Sequence, residues 1–309
     1  NLFLDLLKYQ IDKSFMKILI SLKTGVSGSA KIWKGVLIIW LCSLLLVGMV
    51  AIPMKGALKS GFGNSMITEK LKEGINVEAL ADLGTNLRSV ISYFSKGLFM
   101  VLLIGFLMNT FFSGGLFDSL KGSAGKFSAA EFFRSSAKNF WPFFVISLIM
   151  SLIIIALVIL VFVIPVSIIG QAKVSSEGAI FKTGIISTSL FLLSLVVLLL
   201  VADYARAWQV VNLKNKCFRA IGFGFSQTFR TFFSSYPLMI VLLIVQFLFG
   251  WFVLSILSGI KPATGAGVLM FFILSQLLFF IKILLKAWRY GSVTKMMELN
   301  FQIDVRSPR

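Results

Sequence analysis

An all-α, polytopic transmembrane bundle of six spans is the fold class this sequence predicts, and three observations predict it. The 309-residue chain is 58% apolar and only 14% charged, with a mean hydropathy of +0.94. A soluble domain of this length could not bury so much apolar surface and still cover itself with polar groups. Several windows run without a charge for about 20 residues, enough for a helix to cross roughly 30 Å of hydrocarbon; residues 143–164 and 183–202 are the plainest. These windows lack the alternation of barrel strands, so their backbone must satisfy itself as helix.

The whole chain, 1–309, reads as one integral membrane domain. Residues 1–32 form an interfacial amphipathic helix: Leu4, Leu7, Ile11, Phe15, Ile18 and Leu22 make a stripe opposite Asp5, Lys8, Asp12 and Lys17. Those charges also break the first apolar run, so no cleavable signal peptide is expected. The spans are expected at 33–52, 90–112, 141–165, 183–201, 237–257 and 267–285. Residues 54–89 form the longest extracytoplasmic loop, with Gly56, Gly61, Gly63 and Gly74 interrupting its first half. In its second half Asn76 can cap a helix carrying Leu80, Leu83, Leu87 and Ile91. The short outer loops at 170–182 and 258–266 make spans three and four, and five and six, antiparallel hairpins. Cys42 sits in a span and Cys217 in a basic loop, so no disulfide is expected between them.

Charge sets the orientation. The net charge of +18 would suggest nucleic acid for a soluble protein, but here the basic residues collect between spans, and no nucleic-acid partner is expected. Twenty lie on the side that holds both termini and eight on the other. Five of those eight share a loop with Glu69, Glu73, Glu78 and Asp82, which nearly neutralise it. Both termini are therefore expected inside, beside an anionic leaflet.

The inner segments repeat. Residues 113–140 and 202–236 read as cytoplasmic elbows. Ser128-Ala-Ala-Glu131 is a capping box opening a helix that ends at Trp141-Pro142, where proline suits the first turn of a span. Phe218, Ile221, Phe225, Phe229 and Phe232 form the matching stripe before Tyr236-Pro237, and Trp33 follows the N-terminal helix. The even spans also end alike, in Leu116-Phe-Asp118, Asp203-Tyr-Ala-Arg206 and Trp288-Arg-Tyr290. Three units of elbow plus hairpin make a parallel threefold repeat, unlike the inverted repeats of many carriers.

An amphipathic N-terminus, six spans, a long first outer loop and a Gly-rich turn before an inner elbow (Ser113-Gly-Gly115 to Phe140-Trp-Pro142) resemble the YciC family. The membrane domain of some glycerophosphoryl diester phosphodiesterases is similar. The resemblance implies a multi-pass protein of the bacterial cytoplasmic (inner) membrane. It carries over no catalytic residue, because that phosphodiesterase chemistry resides in a separate soluble domain.

Residue chemistry argues against an enzyme. There is no histidine, the commonest general base and metal ligand, and two distant cysteines cannot hold a cluster. No Walker loop or dinucleotide fingerprint occurs, so no cofactor or metal is expected. Lys96 and Lys282 fall within spans near their ends, and these two and Lys286 are read as snorkelling; Asp203 and Arg206 are read as a local helical pair. Asn109, Gln246 and Gln276 are the candidates for inter-helix hydrogen bonds, each worth about 1 kcal/mol at most. Lys214, Lys216, Arg219 and Arg230 are the candidate contacts to anionic lipid or to a partner. A charged path of the kind pumps use is not visible. The expectation is a non-enzymatic protein acting by association, as an accessory or scaffold subunit of a larger membrane complex or as a membrane-organising factor. The alternative is a transporter or channel for a small or lipid-like solute.

Overall fold

The computed structural model describes residues 2–62, 85–121, 127–171, 177–212, 217–260 and 264–306. Every regular element among them is helical: α1 (Leu2–Lys31), α2 (Trp33–Phe62), α3 (Thr85–Leu120), α4 (Ala129–Val158), a π-helical turn (Ile159–Val163), α5 (Ile164–Gln171), α6 (Glu177–Asn212), α7 (Cys217–Arg230), α8 (Phe232–Gly259) and α9 (Gly265–Arg306). Among the described residues five helical stretches are long and apolar enough to cross a membrane, or six if the pair Asp12–Lys31 and Trp33–Met49, bent by 64°, counts as one span. The protein is an all-α polytopic membrane bundle.

The helices outrun the expected spans because nothing in the sequence stops them at the membrane edge. α2 continues through Gly56 and Gly61, since glycine in a helix costs only about 1 kcal/mol. Residues 63–84, with most of the expected outer loop, lie outside the described residues. Pro142 and Pro237 sit inside α4 and α8 and do not open those helices. Ser128 caps α4, its side chain accepting from the Glu131 backbone N–H at 3.5 Å, so the N-terminal signal holds. Pro165 falls just after the π turn. A proline cannot donate to the carbonyl four residues back, and one turn of wider helix takes up the misfit. The helix then runs on to Gln171, past the predicted end at 165.

The chain divides into two compact units. The smaller, Ile38–Asn109, holds most of α2 and the first part of α3. Leu45, Met49, Phe99 and Leu102 are among its exposed apolar side chains.

The larger unit, Asn1–Leu37 with Thr110–Arg309, is organised by three antiparallel helix pairs at one end of the bundle. In the first, the end of α3 lies against the start of α4: Phe111 meets Phe140, Phe112 stacks on Phe132, and Ser135 Oγ donates to Asp118. In the second, the end of α6 lies against α7, with Trp208 stacked on Phe223 at 5.7 Å between ring centroids. In the third, the end of α9 lies against α1. There Lys17 Nζ donates to Asn300 Oδ1 at 2.7 Å, and Trp288 Nε1 donates to the Leu22 carbonyl at 3.0 Å. Each elbow thus packs on the even span before it, and the first elbow, having none before it, packs on the last.

Glycine makes each crossing possible. A Cβ on Gly115 would lie 2.8 Å from the Phe132 carbonyl, one on Gly224 would lie 2.5 Å from the Val201 carbonyl, and one on Gly25 would lie 2.8 Å from the Ser292 backbone nitrogen. Ser113-Gly114-Gly115 is accordingly not the turn expected from its composition. It is helical and buried, because the missing side chains are needed for close approach across the pair. Behind the second pair, Ile146 and Met150 of α4, Leu198, Val201 and Ala205 of α6, and Ala220 and Ile221 of α7 form a buried apolar core.

Candidate functional site

The residues that join the three pairs to one another form a buried polar cluster. Its centre is Asp203, on the inward face of α6 and without exposed side-chain surface. Arg206, one turn along, places Nη1 3.2 Å from Oδ1. Arg289 of α9 places Nε 3.0 Å from Oδ2, a close ion pair across helices but not an aligned hydrogen bond. The two arginine side chains keep only 13% and 12% of their surface exposed. Arg206 also reaches across to α4, where Nη2 donates to Ser147 Oγ at 3.0 Å. Around this carboxylate the third, fourth and sixth spans are tied together.

Aromatic and hydroxyl groups complete the cluster. Tyr290 is buried and stacks on Phe117 of α3, with ring centroids 4.3 Å apart. The Arg289 guanidinium lies 5.2 Å and the Lys286 ammonium 5.5 Å from the same Tyr290 ring, close enough for cation–π attraction. Tyr204, also buried, shares a hydrogen bond with Ser235 of α8, which is in turn 2.8 Å from Thr231 Oγ1. Lys121 Nζ donates to the Val210 carbonyl at 3.2 Å, joining the first pair to the second. Of the three similar span ends noticed in the sequence, those at Phe117 and Tyr290 meet by stacking, while Tyr204 turns to Ser235 of α8.

The expected local pair of Asp203 and Arg206 forms, and Arg289, 86 positions away in the chain, adds a second cation on the other carboxylate oxygen. No sequence spacing announces a partner that distant; the repeated aromatic-charge ending of the even spans is the signal that could have found it. Lys96 and Lys282 are exposed, whereas Lys286 is half-buried against Tyr290.

The other predicted site residues are spread apart. Gln246 Nε2 of α8 donates to the Leu285 carbonyl of α9 at 3.4 Å, an inter-helix bond. Gln276 is half-buried on α9 and Asn109 is exposed. Arg219 and Arg230 are exposed on α7; Lys214 and Lys216 lie outside the described residues. Elsewhere in the spans, Ser43, Ser167, Thr188 and Ser189 donate to the carbonyl four residues back, which satisfies a hydroxyl without a partner helix. Among the described residues no three His, Cys, Asp or Glu side chains come together.

No protein-family model matches the chain, and no curated protein or solved structure shows a significant match to it.

Proposed function

We propose that this chain is a non-enzymatic protein of the bacterial cytoplasmic (inner) membrane, with both termini inside, that works by association. It serves as an accessory or scaffold subunit of a larger membrane complex, or as a membrane-organising factor. One observation carries this reading: the buried charges of Asp203, Arg206 and Arg289 and the closely packed glycines gather where the helix pairs meet, while large apolar side chains on or beside the elbows face out. Phe15, Phe218, Phe229 and Trp141 are 59–78% exposed on or beside the elbows. Such faces suit lipid at headgroup level or the helices of a partner. The basic residues of the elbow side, Arg219 and Arg230 with Lys214 and Lys216, add attraction for anionic lipid or acidic partner segments, worth about 1 kcal/mol each near the surface.

A specific observation favours the other reading, a transporter or channel for a small or lipid-like solute. Asp203 and Arg289 are ionisable groups on spanning helices, and such groups often mark a solute path. Reconstitution decides between the two. For an associating protein, liposomes containing the chain alone show no solute flux above empty vesicles, and mild-detergent purification from its native membrane recovers a stoichiometric partner. Uptake of a defined solute by the isolated protein overturns the association reading.

A further inference from the structure

The buried side chains of the larger unit crowd toward the end that carries Asp203. Among the described residues α4 buries nothing beyond Met150, and α8 nothing beyond Leu242. In the far halves of the spans, at 151–168, 178–197, 243–260 and 264–277, only Val161 and Ser187 are buried among the described residues. Both belong to the hairpin that α4 and α5 make with α6, as does the Phe162–Phe191 ring contact. Polar contacts divide the same way. The two hairpins are joined where Arg289 of α9 meets Asp203 of α6, and where Tyr204 of α6 shares a hydrogen bond with Ser235 of α8. At the far end Ser167, Thr188, Ser189, Ser258 and Ser275 each donate to a carbonyl of their own helix.

Helices in lipid are held together by close packing and by hydrogen bonds between them. The far halves of the two hairpins therefore hold each other at most through half-buried side chains, and a region with few buried contacts is the part of a fold that opens at least cost. We propose that the hairpin of α4, α5 and α6 and the hairpin of α8 and α9 are two arms that pivot on the Asp203 cluster. Their far ends part and close while the cluster end stays joined. Each arm moves as a unit, because short connections at 172–176 and 260–264 tie its helices at the far end. Within the second arm Gln246 of α8 also bonds to the Leu285 carbonyl of α9. Past Leu242, its last buried residue, α8 runs on to Gly259, about 25 Å at 1.5 Å per residue. A small rotation at the cluster is therefore amplified at the far end, as in other hinged rearrangements. The motion requires only that these helices cross a membrane. It does not rest on the association reading, and the failure of either leaves the other standing.

The test is double electron–electron resonance on the full chain in lipid nanodiscs. Spin labels are placed on pairs of introduced cysteines after Cys42→Ser and Cys217→Ser. Ile186→Cys with Leu254→Cys, both at exposed positions, reports the far ends of the two hairpins. Trp141→Cys with Phe233→Cys, also exposed, reports the cluster end. Leu152→Cys with Ile186→Cys lies within one hairpin and controls for motion of the labels themselves. The expected result is a far-end distance distribution broader than both of the others. A far-end distribution as narrow as that at the cluster end overturns the pivot, as does a within-hairpin distribution as broad as the far-end one. Arg289→Gln removes the ion pair between the hairpins and is expected to broaden the cluster-end distribution. An unchanged cluster-end distribution in the folded variant overturns the assignment of the pivot to Asp203.

Discussion

Asp203 concentrates the energetics at the scale of single residues. Its carboxylate is removed from water, and its desolvation is offset only while two guanidiniums remain within 3.2 Å. Replacing one partner of such an arrangement is costly because the others stay buried with their charge. Asp203→Asn, which preserves volume and removes the charge, is expected to lower stability by about 3–5 kcal/mol. The contrast is Glu298→Gln. Lys295 and Glu298 also pair at 3.1 Å, but both keep about 30% of their surface exposed, and a pair of that kind contributes about 0–1 kcal/mol. Thermal unfolding in one detergent measures both variants; equal losses would show that burial adds nothing to the Asp203 contacts. In the sequence Asp203 and Arg206 could be read as a pair from their spacing, but the size of their contribution could not, since it depends on Arg289 and on the burial that α4 and α9 supply.

Glycine placement governs the elements. α7 carries two glycines two residues apart with opposite surroundings. A Cβ at Gly222 meets nothing within 4 Å, whereas one at Gly224 would lie 2.5 Å from the Val201 carbonyl and 3.2 Å from the Ala205 nitrogen. Gly222→Ala is therefore expected to be neutral or to stabilise by up to about 1 kcal/mol through helix propensity. Gly224→Ala must push α7 away from α6, because both nearest atoms are backbone and cannot rotate aside. Its loss should spread to the core of Ile146, Val201 and Ala220 behind it. Limited proteolysis in the segment before Cys217, together with the melting temperature, reports the separation; protection of Gly224→Ala equal to that of the parent chain would mean the crossing is looser than its geometry. The same logic explains why the Gly-rich stretch at 113–115 misled. Composition marks glycine as a turn former, and only the partner helix reveals a close approach.

For the whole molecule the distribution of basic residues sets the expected orientation. Single-cysteine probes at Gly63 and Asn215, in a chain whose Cys42 and Cys217 are replaced, should separate cleanly. An impermeant maleimide added to intact cells is expected to modify the first and spare the second, and the reverse pattern overturns the inside placement of both termini. Closure of the three pairs has a further consequence. Because α1 packs against the end of α9 through Trp288, Gly25 and Lys17, the first and last segments stabilise each other although nearly the whole chain separates them.

Helical class and the existence of long spans followed from the sequence alone, because lipid offers no backbone partner and a charge-free run of about 20 residues has essentially one solution. The capping serine at 128 was legible because a cap is local in the chain. Tertiary structure alone decided which faces meet. It turned the 113–115 glycines into a crossing and brought Arg289 to Asp203. Those outcomes depend on residues tens to hundreds of positions apart, and neither periodicity nor composition encodes distance in space.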